Sequence, residues 1–269
     1  MIDSLVEQLE SRIAGYARSR AVVAFSGGVD SGVVTALAAR TLGAANVVAI
    51  TAISPSLPAG ELDVARETAA ALSVSHRVVK TREVDREAYA RNDAMRCYHC
   101  KAELYGVLRR VAAEGGGSVL LAGANADDRL DVRPGLLAAE QQGVRNPLLE
   151  EGVGKARVRA IATHLGLAVA DKPALACLSS RVAFGVRITP PLLARIDRAE
   201  QAVRALGFEA VRVRHFGDRA SVEVAPEEVG RLLEDPSLPG LIEALRALGW
   251  RQVEVERTGY RQGRMNVLS

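Results

Sequence analysis

Short apolar runs that alternate with helical segments constrain the fold of this chain more than any other feature. The runs AVVAFSGG and GGSVLLAG are nearly continuous in apolar residues and end in glycine, which is typical of strands buried on both faces. Segments between them, such as SGVVTALAARTLG, have the composition of helices and close with glycine. Strands that alternate with helices predict an α/β fold with a doubly wound parallel sheet.

The pattern changes at the segment VAFGVRITPP. Beyond it a helical segment precedes two alternating strands, EAVRVRHFG and RASVEVA, joined by a tight FGDR turn. Further helical segments and a strand, RQVEVE, complete the chain, so we expect a small α+β domain with an antiparallel sheet. The sequence therefore predicts an α/β domain over residues 1–181 and a smaller α+β domain over 182–269.

Charge and composition exclude several classes of protein. The formal net charge is +3 and aromatic residues make up 4% of the chain, which disfavours a nucleic-acid partner. No apolar run approaches the roughly 20 residues that span a bilayer. The N-terminal MIDSLVEQLESR lacks the apolar core of a signal peptide. We therefore expect a cytoplasmic protein without a membrane partner.

The glycine-rich stretch FSGGVDSG is the first candidate site. It follows a strand and opens a helix, whose unpaired N–H groups favour an anion, and its glycines let the backbone approach a ligand. Neither the lysine of a P-loop nor the dinucleotide pattern G-x-G-x-x-G is present. Asp30 has two interpretations, a helix cap or a Mg²⁺ ligand through water. The candidate ligand-binding residues here are Ser26, Gly27, Gly28, Asp30 and Ser31.

Three cysteines form the second candidate site. An odd number without an export signal argues against a disulfide framework. Cys97 and Cys100 form a C-x-x-C pair, whose usual roles are metal binding and redox chemistry. Cys177 lies in ALACLSSR, where hydroxyls and Arg181 accompany it. These neighbours weaken the view of Cys177 as a small buried apolar residue.

Two further groups of polar residues stand at element ends or on one strand face. Asp127 and Asp128 follow the fourth strand, where a doubly wound sheet places its ligand, although they could equally cap a helix. Arg212 and Arg214 alternate along one strand and so share a face. Two guanidiniums on one face suit a phosphate or carboxylate, while a solvated strand face is the alternative.

The stretch SGGVDS resembles the PP-loop of ATP pyrophosphatases. Segments from both predicted domains, among them RCYHCKAELY, DKPALACLSSR, RVRHFGD and GYRQGRMN, resemble the LarE family of ATP-dependent sulfur transferases. That family helps to build the nickel-pincer nucleotide, the lactate racemase cofactor. The resemblance implies ATP and Mg²⁺, adenylation of a carboxylate of pyridinium-3,5-biscarboxylic acid mononucleotide, and displacement of AMP by sulfur.

The resemblance leaves the sulfur source divided between two branches. In one, a single cysteine, here Cys177, gives up its sulfur and becomes dehydroalanine. In the other, three cysteines, here Cys97, Cys100 and Cys177, hold a [4Fe-4S] cluster with an open iron for sulfide. The three cysteines favour the cluster. Zinc held with His99 and a redox dithiol that delivers persulfide are the remaining alternatives.

The resemblance also assigns roles elsewhere in the chain. It places Asp127 or Asp128 near ATP and its metal, and Arg212 and Arg214 at the substrate phosphate. Ser180 and Arg181 become candidates for phosphate contacts, Glu200 matches a site glutamate that could equally be a surface residue, and Arg261 and Arg264 remain candidates without an assigned role.

The predicted partners are the pyridinium mononucleotide, a sulfide or other sulfur donor, and further copies of the chain through the second domain. Two other functions remain open, a tRNA thiolase of the same superfamily and a regulatory module that has lost catalysis.

Overall fold

The computed structural model describes residues 2–16, 18–114, 117–129, 134–173 and 176–261. The chain forms two compact units. The first comprises residues 1–54, 59–83 and 95–175, and the second comprises 55–58, 84–94 and 176–269. No local pattern marks 55–58 or 84–94 as parts of the second unit. The domain boundary at Arg181 stays a prediction beside this division.

The first unit is built on a parallel sheet with the strand order β3-β2-β1-β4 among the described residues. Its strands are β1 (Ala21–Ala24), β2 (Val47–Ile53), β3 (Ser75–Lys80) and β4 (Val119–Leu121). β1 lies between β2 and β4, and each pairing is parallel. The helical crossovers between successive strands permit this arrangement. The structure confirms the predicted α/β fold.

Helices cover both faces of this sheet. They are α1 (Ile2–Ala14), α2 (Val29–Leu42), α3 (Glu61–Ala71), α5 (Arg96–Glu114), α6 (Pro134–Gln141), α7 (Pro147–Glu150) and α8 (Lys155–His164). One apolar cluster contains Leu9, Val33 and Ile161, and a second contains Tyr105 and Leu108. Burying one such side chain contributes about 1.5–3 kcal/mol. Two apolar layers with a sheet between them explain the continuous apolar character of the strands.

The second unit has a smaller, mixed sheet of order β5-β6-β7 among the described residues. Its elements are α4 (Glu87–Ala90), α9 (Pro190–Arg204), β5 (Arg212–Phe216), β6 (Arg219–Glu223), α10 (Val229–Glu234), α11 (Leu238–Ala247) and β7 (Gln252–Val255). β5 and β6 are antiparallel, as the FGDR turn predicts. The prediction of a wholly antiparallel sheet is wrong, because β7 runs parallel to β6. A helical connection between these strands permits the parallel pairing.

No helix within the described part of the chain is both long enough and apolar enough to cross a membrane.

Candidate functional site

The SGGVDS loop joins the end of β1 to the start of α2. Gly28 occupies the N-cap position of α2 and has no side chain with which to cap it. The first N–H groups of a helix have no intrahelical acceptor, and the helix dipole places partial positive charge there. Parallel strands bring their carboxyl ends to one edge, which is where such sheets bind ligands. The loop is therefore a candidate anion site.

Glycine is required at two points around this loop. Gly27 has φ of +71°, and a Cβ there would lie 2.8 Å from Cα of Ala65 in α3. Gly123, just after β4, would place a Cβ 2.8 Å from the backbone nitrogen of Ser31. Both close approaches let the backbone of neighbouring elements pack directly against the loop.

The two serines of the loop hold its shape. The N–H of Ser26 donates to Oγ of Ser31 (N to O 3.2 Å), and the two hydroxyl oxygens are also 3.2 Å apart. Ser31 Oγ in turn donates to the carbonyl of Gly28 at 3.1 Å. The Ser31 side chain is buried, whereas Ser26 is exposed. Ser31 thus holds the turn together, and Ser26 is the hydroxyl open to a ligand.

Lys172 brings a positive charge to the loop from a distant part of the sequence. Its Nζ lies 3.4 Å from the carbonyl oxygen of Gly27 and 2.8 Å from Oε2 of Glu61. Arg159 of α8 fixes this segment by donating to the carbonyls of Ala170 and Lys172, the latter at 2.8 Å. The loop therefore has a lysine, although the linear motif contains none.

Lys155 is the second lysine at the loop. Its Nζ donates to one carboxylate oxygen of Asp30, and Nδ2 of Asn125 donates to the other at 3.0 Å. Asp30 thus pairs with a lysine, and the N-cap of α2 is Gly28. Lys155 and Lys172 are functional candidates that the sequence interpretation missed. Lysine is rare in this sequence, and that rarity could have identified them: the chain has 31 arginines and only 4 lysines, two of them at this loop.

Asp127 and Asp128 lie on the short 3-10 turn Ala126–Arg129 after β4. The carboxylate of Asp127 accepts the backbone N–H of Lys155 at 2.8 Å and so caps the start of α8. Asp128 accepts the N–H of Asn125 at 3.0 Å. Both contacts are of the capping kind. Their role at ATP stays a prediction.

Cys97 and Cys100 lie in the first turn of α5. Three-residue spacing in a helix places them on neighbouring positions of one face. Cys97 is exposed and Cys100 is partly exposed. Nη2 of the buried Arg96 lies 3.8 Å from Sγ of Cys97. The pair thus lies near the N-terminus of a helix, and a guanidinium lies beside Cys97.

Cys177 lies in the second unit, immediately before the 3-10 turn Leu178–Arg181. The cysteine itself is exposed, whereas Arg181 is fully buried. Nη1 of Arg181 donates to the carbonyl oxygens of Ala176 and Cys177, at 2.5 and 2.9 Å. Arg181 thus holds the backbone that carries the thiol.

Glu200 on α9 is the counter-charge of Arg181. Its two oxygens accept Nε and Nη2 of Arg181 at 2.8 and 3.2 Å. They also accept Arg204 Nη2 at 2.9 Å and the backbone N–H of Val213 at 3.1 Å. Burial would raise the pKa of Glu200, but the charges of Arg181, Arg212 and Arg204 overcome it and lower the pKa below its usual value. Glu200 is therefore an internal anchor.

Arg212 and Arg214 share one face of β5, as predicted, since both guanidiniums lie over the ring of Tyr260, at 5.1 and 5.9 Å. They are only 4% and 5% exposed, so this is no solvated strand face. Arg214 donates to Glu223 at 3.0 Å and to the carbonyl of Ser180 at 2.9 Å. Burial and then the charge of Arg181 lower the pKa of Arg212 to about 10. A bound anion would offset that cost.

The remaining predicted residues are Ser180, Arg261 and Arg264. Ser180 is partly exposed, whereas its neighbour Ser179 is buried, with its hydroxyl 2.5 Å from that of Tyr89. Arg261 is exposed, and Arg264 lies outside the described residues.

Within the described ranges, no three His, Cys, Asp or Glu side chains are grouped so as to hold a metal ion. Cys97 and Cys100 belong to the first unit and Cys177 to the second.

A cavity of about 840 Å³ lies elsewhere in the first unit, among α1, α5 and the start of β4. Ser118, just before β4, lines it, so it is at the sheet end opposite the SGGVDS loop. Its Arg12 pairs with Glu151. Arg145, also in its wall, pairs with Glu150. Sheets of this kind bind ligands at the carboxyl ends of their strands, so the loop is the better candidate for an anion.

Comparison with known proteins identifies the family of this chain. Residues 3–146 match the asparagine synthase family model. An uncharacterized protein of Synechocystis sp. is 40% identical over 266 residues, 99% of this chain and 98% of that protein. The pyridinium-3,5-bisthiocarboxylic acid mononucleotide synthase of Lactiplantibacillus plantarum is 35% identical over 247 residues, 92% of this chain and 89% of that one.

A further relative matches a shorter stretch of the chain. The NH(3)-dependent NAD(+) synthetase of Methanococcoides burtonii is 33% identical over 82 residues, 30% of this chain and 31% of that enzyme. The two matches above cover nearly the whole chain, whereas this one covers less than a third of it. The chain therefore belongs to the asparagine synthase (PP-loop) family and, over nearly its whole length, to the LarE-like group that includes the pyridinium-3,5-bisthiocarboxylic acid mononucleotide synthase.

Proposed function

We propose that this chain is an ATP-dependent sulfur transferase that acts on pyridinium-3,5-biscarboxylic acid mononucleotide. A substrate carboxylate oxygen attacks the α-phosphorus of ATP, and pyrophosphate leaves. A sulfur nucleophile then attacks the activated carbonyl carbon, and AMP leaves with the former carboxylate oxygen. The product is the thiocarboxylate. The observation that carries the proposal is the SGGVDS loop at the end of β1, in a chain 35% identical to a synthase of that product class.

The loop would bind the β- and γ-phosphates of ATP. The N–H groups at the start of α2 and the hydroxyl of Ser26 are the donors. Lys155 and Lys172 supply positive charge, each now paired with one carboxylate, Asp30 and Glu61. A lysine is a point charge on a flexible stem and can exchange one anionic partner for another. Charge on the leaving pyrophosphate would be stabilised in this way.

Mg²⁺ fits the acidic residues beside the loop. It prefers carboxylate oxygens and keeps several waters, and it would neutralise charge on the phosphates. Asp30 offers such oxygens once its contact with Lys155 is exchanged. Asp127 and Asp128 lie on the turn after β4, and each accepts a backbone N–H. We assign Asp30 as the metal-binding residue and the other two as supports through water.

In the second unit, Arg212 and Arg214 would bind the phosphate of the mononucleotide, with the hydroxyl of Ser180 as a further donor. The lowered pKa of Arg212 supports this assignment, because its buried charge gains most from an anion. Arg181 has its donors directed to Glu200 and to the Cys177 turn. We therefore give Arg181 a positioning role in place of direct phosphate binding.

We propose that Cys97, Cys100 and Cys177 hold a [4Fe-4S] cluster, which when bound would supply sulfide from its open iron. The exposed thiols and the spacing of the first two cysteines on α5 support this donor set. In the sacrificial alternative, Sγ of Cys177 attacks the activated carbonyl and AMP leaves. Loss of the Cα proton of Cys177 with cleavage of its Cβ–S bond then releases the thiocarboxylate and leaves dehydroalanine.

Anaerobic purification with iron and acid-labile sulfide analysis tests the donor set. Iron and sulfide in cluster proportion are expected in the wild type and should be lost in Cys97→Ala. Mass spectrometry after turnover separates the alternatives. A protein that loses the mass of hydrogen sulfide at Cys177, and whose Cys97→Ala variant reacts normally, would refute the cluster.

The reaction class is tested by product analysis with ATP and the pyridinium mononucleotide. AMP and pyrophosphate should form in equal amounts and only with the substrate. Release of ADP, or AMP formation that ignores the substrate, would refute the proposed function.

A further inference from the structure

The peptide bond between Phe25 and Ser26 is where β1 becomes the nucleotide loop. Its N–H, from Ser26, donates to Oγ of Ser31 at 3.2 Å. Its carbonyl, from Phe25, accepts the hydroxyl of Thr51 at 2.8 Å. Side chains from two different elements thus hold the two polar ends of one peptide unit. Rotation of this peptide would break both hydrogen bonds and leave a buried carbonyl without its donor.

Thr51 is itself held from the edge of the sheet. It lies on β2 and is 2% exposed, and its Oγ1 is 2.8 Å from Nε2 of His76 on β3. The single hydroxyl proton of Thr51 is donated to Phe25, so Nε2 of His76 must carry the proton that Thr51 accepts. The His76 ring also packs edge-on against the ring of Phe25, with centroids 5.9 Å apart.

The surroundings of His76 favour its neutral form. Burial, and after it the charge of Arg66, lowers the pKa of His76 below its ordinary value. The contacts of Thr51 with His76 and Phe25 are hydrogen bonds, and His76 and Phe25 also pack ring to ring. None of these contacts is an ion pair. The contacts run across three neighbouring strands towards one peptide of the loop.

We propose that Thr51, supported by His76, is a positioning residue for nucleotide binding: it fixes the Phe25–Ser26 peptide and thereby directs the N–H groups that follow towards the phosphates. This role rests on the proposed ATP-dependent function. A purely structural role would differ, because loss of the hydroxyl would then lower stability without changing the loop.

The test compares Thr51→Val with Thr51→Ser and with a matched control, Thr41→Val. Valine keeps the shape and removes the hydroxyl, and serine keeps the hydroxyl. Thr41, near the end of α2, also donates to a backbone carbonyl at 2.8 Å, that of Leu37. Calorimetry with Mg²⁺ and a non-hydrolysable ATP analogue should show about a tenfold weaker Kd for Thr51→Val, equivalent to about 1.4 kcal/mol. Both Thr51→Ser and Thr41→Val should bind as the wild type does.

Hydrogen exchange gives a readout that needs no nucleotide. The amide of Ser26 should lose about tenfold of its protection in Thr51→Val and keep it in Thr41→Val. His76→Phe keeps a ring against Phe25 but removes the N–H, and a smaller loss, of about two- to threefold, is expected.

The outcomes separate this inference from the proposed function. Unchanged Ser26 exchange and unchanged analogue binding in Thr51→Val would overturn the positioning role. Equal losses in Thr41→Val would overturn it too, because general destabilisation would then account for the effect. A third outcome is possible: the wild type does not bind the analogue, although Thr51→Val loses Ser26 protection as expected. That outcome would refute the ATP-dependent function and with it the nucleotide role of Thr51.

Discussion

The SGGVDS loop and the turn after Cys177 are surrounded by charges of different kinds. At the loop, partly exposed lysines each face one carboxylate, as in Lys155 with Asp30. Beside the Cys177 turn, Arg181 and Glu200 are fully buried and bonded to each other twice. One region therefore has charges that can change partners, and the other has charges fixed in place.

The difference follows from the two cations. Lysine is a compact charge on a flexible stem, whereas arginine offers a planar fork that fits a carboxylate at two points. A loop that binds and releases a polyanion is served by lysine. A turn that holds a thiol in one position is served by arginine. In a chain so rich in arginine, the lysines at the loop stand out for this reason.

The largest effect should come from breaking the buried pair. Arg181→Ala leaves Glu200 charged and buried, which costs about 3–5 kcal/mol of unfolding free energy. The matched control is Arg187→Ala, since Arg187 pairs with Glu87 on the surface of the same unit. That exposed pair should contribute no more than about 1 kcal/mol. Urea unfolding monitored by circular dichroism measures both.

A double variant of the buried pair, together with the surface control, decides the interpretation. Arg181→Met combined with Glu200→Gln removes both charges and should recover much of the loss. Equal losses in Arg181→Ala and Arg187→Ala would contradict the view that the Cys177 turn is held by a buried, fixed charge pair.

A backbone change tests the loop more directly than a change of charge. Gly27→Ala adds a Cβ that would lie 2.8 Å from Cα of Ala65, at a φ of +71°. ATP binding should weaken by about a hundredfold, equivalent to about 2.7 kcal/mol. Gly60→Ala is the control, because Gly60 also has a positive φ but no atom within 4 Å of the added Cβ. Calorimetric titration of both variants with Mg²⁺-ATP is the measurement.

If Gly27→Ala and Gly60→Ala bind nucleotide equally well, the close packing of the loop against α3 does not matter for binding.

Removing one exchangeable charge should have a smaller effect. Lys172→Met should weaken ATP binding by about tenfold, because a phosphate contact is lost. The unfolding free energy should fall less than in Arg181→Ala, because the pair of Lys172 with Glu61 is partly exposed. Lys80→Met, at the end of β3, is the matched lysine away from the loop. Loss of stability without loss of binding in Lys172→Met would make Lys172 a structural residue.

The smallest expected effect is the pH dependence that Glu200 gives to the unfolding free energy. The folded state lowers the pKa of Glu200, so this carboxylate contributes stability above the unfolded value of about 4.3, and that contribution is lost as pH falls towards the folded pKa. The difference in unfolding free energy between wild type and Glu200→Gln should therefore be widest near pH 7 and narrow below about pH 4.3. Denaturant unfolding across this range is the test, and a pH-independent difference would contradict it.

The first unit was the more predictable of the two. The apolar runs AVVAFSGG and GGSVLLAG, with their terminal glycines, identify β1 and β4, because both obey a local rule. The direction of β7 was not predictable, since it depends on how a long helical connection returns to the sheet.

The candidate site shows the same division. The backbone of SGGVDS is readable in the sequence because loop, strand and helix are contiguous. Lys155 and Lys172 lie more than a hundred residues away, and only the fold brings them to the loop. The burial of Arg181 could not be read from LSSR either, because its partner Glu200 lies on another element.

The most direct test of the central claim follows the substrate oxygen. Pyridinium-3,5-biscarboxylic acid mononucleotide with isotopically labelled carboxylate oxygens is incubated with ATP, Mg²⁺ and a sulfide source, and AMP is analysed by mass spectrometry. Adenylation of the carboxylate predicts one labelled oxygen in the phosphate of each AMP released. Unlabelled AMP, or ADP as the nucleotide product, would contradict the account.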